Sequence, residues 1–323
     1  MSLYTEIVRT GVIFRRPGRI LANAFHAFRS APTTGKPFLL KMESSAVCNL
    51  RCKMCPQNNN FTRSQGVLKF ENFKKVFDEV DPPYVNLTWI GEPLINPDLF
   101  RMIAYARERG SVVKMDTNAT LLDEEKAGKL LDAGPNFVSV SLDGITKQSY
   151  ESIRAGANFE EVIRNLKRFV ALRNARRSST KIHLFFVMQK DNVSELPRFV
   201  RFGSELGVDS INGALVLPAG QDKSSEHPEI TREGVEALKR ELAELKKALR
   251  VPLNIETVDS FLNNYEFDAA KTPCFWPWYQ VTLTWDGYVV PCCMHYYKEI
   301  DFGNAFEKPV MEICNNQKAQ DFR

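Results

Sequence analysis

Three cysteines within eight residues, Cys48, Cys52 and Cys55, follow the apolar run Phe38-Leu39-Leu40-Lys41-Met42. This C-x₃-C-x₂-C loop constrains the chain more than any other feature. Cysteine thiolates are the usual holders of iron–sulfur clusters, and a complete all-protein cubane site takes four. Three thiolates in one loop, with no fourth nearby, leave one iron open to a small molecule. A structural zinc site asks instead for a closed set of four Cys or His ligands. None of the four histidines, His26, His183, His227 and His295, lies close in sequence. Three unrelated core cysteines would not be crowded into one loop.

The remaining cysteines, Cys274, Cys292, Cys293 and Cys314, make a second group. Grouping of this kind reads as metal sites rather than a secreted disulfide framework, which argues for a reducing cytoplasm. No run approaches a membrane-spanning length, and the N-terminus lacks a signal-peptide core. The net charge of +4 is unevenly placed. Residues 1–47 hold seven Lys or Arg against Glu6 and Glu43, a balance of +5, so the remainder carries −1. The fold proper is therefore not a basic nucleic-acid binder. Within the basic stretch, Arg19–Arg29 places Ile20, Leu21, Ala24, Phe25 and Phe28 on one helical face. Such a helix either packs across the body of the protein with its arginines in water or rests on an anionic membrane surface.

From about residue 37, short β-rich runs alternate with amphipathic helical stretches. The expected strands are Phe38–Glu43, Tyr84–Ile90, Val112–Asp116, Phe137–Ser141, Lys181–Met188 and Ser210–Val216. The expected helices between them are Glu71–Val80, Pro97–Arg109, Asp123–Ala133, Phe159–Asn174 and Glu195–Leu206, several closed by Gly110, Gly134 or Gly207. Repeated βα units imply an α/β fold with a parallel sheet. Six such units fit a partial (β/α)₆ TIM-like barrel, whose chemistry gathers at the carboxyl ends of the strands. Thr231–Arg250 reads as a helix capped by Thr231, with leucines spaced for packing on the barrel. Tyr279–Pro291 reads as a β-hairpin with a tight type I′ turn at Asp286-Gly287. Three segments follow: a basic amphipathic extension over 1–36, the barrel over 37–255, and a small hairpin-and-helix cap over 256–323.

The cysteine spacing resembles that of the radical S-adenosylmethionine enzymes. The resemblance implies a [4Fe-4S] cluster on Cys48, Cys52 and Cys55, whose open iron is chelated by S-adenosylmethionine. Reductive cleavage of that cofactor gives a 5′-deoxyadenosyl radical, which abstracts hydrogen from an unactivated carbon. The end of the second strand, Gly91-Glu92-Pro93, resembles the family's glycine-rich motif that meets the methionine ammonium. Thr117-Asn118, at the end of the third, resembles its TNG-type segment, and a plain turn is the alternative. Ser141 and Arg154 correspond to residues that bind polar groups of the cofactor. Asp143 is a weak candidate for acid–base work, and Met54 stands where the family usually has an aromatic residue against the adenine.

Cys274-x₁₂-Gly287-x₄-Cys292 resembles the opening of SPASM and twitch domains, which carry auxiliary iron–sulfur clusters. The further cysteines of such domains are missing before Arg323. The expected set is therefore Cys274, Cys292 and Cys314, because adjacent Cys293 should face the other side of an extended strand. A cluster-free cap is the alternative. Trp276, Trp278 and Trp285 read as the small core of this cap. Only 47 residues precede the cluster loop, leaving no room for a separate leader-peptide-binding domain. That favours oxidation or rearrangement of a small polar metabolite, a sugar or aminocyclitol, over a peptide or protein side-chain maturase. A non-catalytic iron–sulfur or zinc protein is the reading from a different class. The implied partners are the substrate and a low-potential electron donor such as flavodoxin or ferredoxin.

Overall fold

The computed structural model describes residues 17–58, 61–189, 191–215, 232–249 and 274–323. Strands β1 (Leu39–Met42), β3 (Tyr84–Asn86), β4 (Val112–Thr117), β5 (Phe137–Ser141), β7 (Lys181–Met188) and β8 (Ser210–Leu215) lie side by side. All five pairings among them are parallel. The six expected strands are thus present: β5 and β7 match, β1 and β3 are shorter, β4 runs one residue further to Thr117, and β8 is described as far as Leu215. The stretch after Asn86 is not extended to Ile90, because Asn86 Oδ1 accepts from the Thr88 amide (2.9 Å) and turns the chain. Helices Phe70–Val80, Leu99–Glu108, Glu124–Ala133, Phe159–Ala175 and Leu196–Leu206 form the connections. Their ends obey local chemistry. Asp123 and Asn158 cap the amides of Lys126 and Glu161, and Gly134 and Gly207 close two helices in the left-handed region. Apolar residues of these helices, among them Phe73, Val76, Phe77, Leu130, Leu166, Phe169 and Phe199, bury against the sheet.

The C-terminal hairpin is not a detached cap. Its first strand, β9 (Gln280–Leu283), pairs parallel with β1, and β10 (Tyr288–Val290) and β11 (Gly303–Asn304) continue outward. One sheet of nine strands results, in the order β11-β10-β9-β1-β3-β4-β5-β7-β8. The hairpin turn also differs from expectation. Only Gly287 has positive φ (95°), and Gly287 N donates to Thr284 O (3.0 Å). Three residues, Trp285, Asp286 and Gly287, make the turn, as in a type I turn followed by a left-handed glycine. A Cβ on Gly287 would come 2.5 Å from Asn304 Oδ1, so glycine is required there twice over.

The N-terminal helix Pro17–Phe28 packs on the body, but not through the expected apolar face and with Arg19 bonded to Val80 O and Asp81 O rather than left in water. Asn23 and Ala27 are buried, and Asn23 Nδ2 donates to Trp278 O (2.6 Å). Leu21, Phe25 and Phe28 of the expected apolar face are exposed. Helix Arg232–Ala248 packs on helix Leu196–Leu206 with Leu242 and Leu245 buried. Its expected cap Thr231, the expected boundary at 255 and Val216 lie outside the described residues. Of the three tryptophans, only Trp278 is core; Trp276 is exposed, and Trp285 lies on Gly66 and donates from Nε1 to Ser64 O (3.1 Å). No helix among the described residues is long and apolar enough to cross a membrane.

Candidate active site

The carboxyl ends of the parallel strands surround a cavity of about 510 Å³. The chain leaves β1 and runs through Ser44-Ser45-Ala46-Val47 into the cysteine loop. Asn96 Nδ2 holds that run by donating to Ser44 O (2.7 Å) and Leu68 O (2.9 Å). Gly91 presses against it. At φ 81°, a Cβ on Gly91 would stand 2.3 Å from Ser45 O and 2.9 Å from Val47 O, which no side chain can do. The amide of Glu92 then donates to Val47 O (2.8 Å), fixing the loop's entry over the end of β3. On the far side, Arg51–Cys52 (β2) pairs antiparallel with Arg154–Ala155 (β6), setting Cys52 directly opposite Arg154.

Cys48, Cys52 and Cys55 all line the cavity, together with Met54, Gly91, Glu92, Thr117, Asn118, Ser141 and Arg154. Of the residues predicted around this loop, Pro93 and Asp143 do not line the cavity. Pro93 is buried as the first residue of a short 3-10 turn. Asp143 is fully buried, accepts from Val187 N (2.8 Å) and pairs with Arg154 Nη2 (2.7 Å). Burial raises its pKa against the pull of Arg154. Asp143 therefore orients an arginine and does not face the reacting space.

Glu92 is likewise a bracket. It is 1% exposed, and its carboxylate accepts from Leu94 N (3.1 Å), Thr117 Oγ1 (2.7 Å) and Asn118 N (2.8 Å). Burial raises its pKa, while these three donors favour the charged form. Its side chain is spent joining the ends of β3 and β4.

The thiols suit a cluster. Leu50 N (3.4 Å) and Asn118 Nδ2 (3.9 Å) donate to Cys48 Sγ, and Arg154 Nη1 (4.0 Å) to Cys52 Sγ. Such donors stabilise thiolate ligands and tune a cluster's potential. Burial raises all three thiols, Cys55 to about 11, so they need a cation beside them to ionise. Among the described residues, no group of three or more His, Cys, Asp or Glu converges as one metal ion requires. The thiols instead ring one end of a cavity.

The C-terminal cysteines depart from the expected set. Cys314 is 2% exposed, its pKa pushed up to about 12 by burial, and its charged neighbours are Arg323 and Glu79 rather than another cysteine. It belongs to the apolar core of the hairpin's helices. Cys292 instead senses both Cys293 and Cys274, whose charges raise its pKa after burial does. Strand alternation does not separate Cys292 from Cys293, because β10 ends at Val290 and both lie in the following turn. Cys293 lines the cavity, and its carbonyl accepts from Trp89 Nε1 (2.9 Å). Cys293 and Cys274, not Cys314, are thus the cysteines whose charges reach Cys292. Tyr296 stands between the groups, its pKa raised to about 12 by burial and by Cys293, Cys292 and Cys55.

Sequence reasoning missed Lys41, Asn86, Lys114 and Asp116 on the cavity floor. The signal was present: polar residues inside parallel strands, which otherwise read as near-continuous apolar runs.

Comparison with known proteins agrees with this geometry. Residues 42–203 match the radical SAM superfamily model, and residues 274–323 match SPASM, an iron–sulfur cluster-binding domain. The chain is 27% identical to the tungsten-containing aldehyde ferredoxin oxidoreductase cofactor-modifying protein of Pyrococcus furiosus, over 88% of this chain and 82% of that protein. It is 30% identical to the mycofactocin maturase of Mycobacterium tuberculosis over 57% of this chain and 46% of that one. Among solved structures, SuiB of Streptococcus suis bound to its precursor peptide SuiA superposes with a TM-score of 0.71 at 15% identity, covering 99% of this chain and 78% of that chain. The three-thiol loop, the strand-end residues around it and the matched family model place this chain in the radical S-adenosylmethionine superfamily of enzymes, with an iron–sulfur-binding SPASM domain at its C-terminal end.

Proposed function

We propose that this enzyme is a maturase of the SPASM type, oxidising or rearranging a peptide or protein substrate by abstracting hydrogen from carbon. The observation that carries the reading is the convergence in one cavity of Cys48, Cys52 and Cys55 with Gly91, Asn118, Ser141 and Arg154. With the cluster and S-adenosylmethionine bound, the site supplies a 5′-deoxyadenosyl radical. The chain's own residues bind and orient. Met54 offers an apolar, polarizable contact to the adenine. Ser141 offers a hydroxyl, and Arg154, held by Asp143, meets the cofactor's carboxylate. Glu92 acts through Thr117 and Asn118, fixing the strand ends between which the cofactor lies. The parallel strands curve as a partial (β/α)₆ barrel around this space. Cys274, Cys292 and Cys293 would hold an auxiliary cluster, which would supply an electron acceptor for the substrate, and the partner of the first cluster would be a low-potential electron donor.

The names of the relatives favour a maturase over the sugar or aminocyclitol expected from the length of chain before the loop. The Mycobacterium tuberculosis relative is a maturase, and the SuiB structure holds a precursor peptide. The test is anaerobic turnover with S-adenosylmethionine and dithionite, offering either a pool of short peptides or a pool of sugars and aminocyclitols. A rise of 5′-deoxyadenosine above the uncoupled rate with peptides, accompanied by a mass change in one of them, is expected. A rise with the sugar pool alone would overturn the substrate class.

A further inference from the structure

Across three neighbouring strands lies a row of cavity-lining side chains with a different character. Lys41 is in register with Asn86, and Asn86 with Lys114, on three neighbouring strands. Parallel neighbours stand about 4.8 Å apart, so the two lysine backbones are on the order of 10 Å from each other. All three side chains line the cavity. Their sequences, Leu-Leu-Lys-Met and Val-Val-Lys-Met, are otherwise those of buried strands.

The charges in this row do not balance. Asp116 lies 4.0 Å from Lys114 Nζ and offsets one ammonium. Glu43, two residues from Lys41, is consumed by Arg63, which takes both of its oxygens at 2.8 and 2.9 Å. Lys41 is half-buried, and its ammonium has no ion-pair or hydrogen-bond partner among the described residues. Asn86 adds a donor. Its Oδ1 is taken by the Thr88 amide, which leaves Nδ2 as the group to offer the cavity. Half-burying an ammonium without a counter-charge is costly. A ligand bringing a negative group would remove that cost.

We infer that Lys41, Asn86 and Lys114 form an anion subsite that holds a carboxylate or phosphate group of the substrate beneath the cofactor. The inference deepens the proposed function and rests on it only for the claim that the anion belongs to the molecule attacked by the radical. Two lysines flanking Asn86 in one register row suit a group with several oxygens, and Asp116 lies beside Lys114.

The test uses reconstituted, anaerobic holoenzyme saturated with S-adenosylmethionine and isothermal titration calorimetry. The probes are succinate, for a carboxylate, and pyrophosphate, for a phosphate. Wild type should bind at least one probe with one site per chain. Lys41→Gln and Lys114→Gln should each weaken it about tenfold, equivalent to about 1.4 kcal/mol, and Lys41→Arg should largely restore it. Binding of succinate alone points to an acidic side chain or chain terminus, and of pyrophosphate alone to a phosphate ester; either supports the subsite. Three results would overturn it: no binding of either probe by wild type, unchanged probe binding in both glutamine variants, or loss of S-adenosylmethionine affinity with probe binding intact. If one glutamine variant fails to fold, the other decides. 5′-Deoxyadenosine formation by the same wild-type sample separates the claims. Probe binding without it leaves the subsite standing and the radical reading failed; formation without probe binding does the reverse.

Discussion

Both cysteine groups sit beside strands of a single sheet, and their surroundings differ. Around the loop of Cys48, Cys52 and Cys55, backbone and side-chain N–H groups point at the sulfurs, and four strand ends supply further polar groups. Around Cys274, Cys292 and Cys293, Met294 N donates to Cys292 Sγ (3.4 Å) as the single N–H to sulfur among the described residues, and Cys274 is exposed. Cys293 alone of these three lines the cavity. The first group is built to hold a cluster that must meet a cofactor. The second, matched by the iron–sulfur-binding domain, lacks comparable polar surroundings among the described residues. Position in the sheet decides this, since the first group follows β1 at the carboxyl edge where all the parallel strands end.

The largest expected effect falls on the first group. Replacing Cys48, Cys52 and Cys55 together by alanine should abolish 5′-deoxyadenosine formation, whereas replacing Cys292 should leave uncoupled formation measurable and remove coupled turnover. Equal loss from both would erase the distinction between the groups.

Gly91→Ala tests the geometry beneath the loop. With Ser45 O at 2.3 Å from the added Cβ and φ at 81°, the change should destabilise the fold by about 3 kcal/mol or more, read as a fall in thermal midpoint. A midpoint close to wild type would mean that Gly91 does not hold the loop. Glu92→Gln should cost about 1–3 kcal/mol, because the bonds to Thr117 and Asn118 lose their charge, and should weaken S-adenosylmethionine binding as well. Loss of stability without loss of binding would confine Glu92 to structure.

Cys314→Ala sharpens the assignment within the second group. A buried thiol exchanged for a methyl should cost about 1 kcal/mol and leave iron content unchanged. A drop in iron would return Cys314 to the ligand set.

An effect of similar size is expected at the opposite edge of the sheet. Burial works to raise the Asp209 pKa, but Ile182 N, Lys181 and Arg173 outweigh it and hold the carboxyl below its ordinary value. Stability from this group is present above the unfolded-state pKa of about 3.9 and is lost as pH falls through the lower folded value. Asp209→Asn should therefore cost about 1 kcal/mol near neutrality and flatten the acid limb of the stability profile. An unchanged limb would remove Asp209 from the account.

Much of this was legible in the residues. Glycine and asparagine signals and apolar periodicity located every parallel strand and most helix ends, because local chemistry fixes them. The cysteine spacing marked the reactive loop for the same reason. What was not legible depends on long-range placement. The pairing of β9 with β1, the inward turn of Cys293 and the burial of Cys314 arise where distant segments meet. Glu92 and Asp143 look like free acids in the sequence. Only the folded chain shows their oxygens taken up by Thr117, Asn118, Val187 and Arg154. Lys41 and Lys114 were readable as polar intrusions in buried strands, but their meaning needed the register.

The contrast between the two cysteine groups is tested most directly by the iron content of the Cys48→Ala, Cys52→Ala, Cys55→Ala triple variant after anaerobic reconstitution. The account predicts a folded protein that keeps the iron of one cluster, about two to four atoms per chain, and forms no 5′-deoxyadenosine. A folded triple variant with no iron would contradict it, leaving Cys274, Cys292 and Cys293 without a cluster to hold.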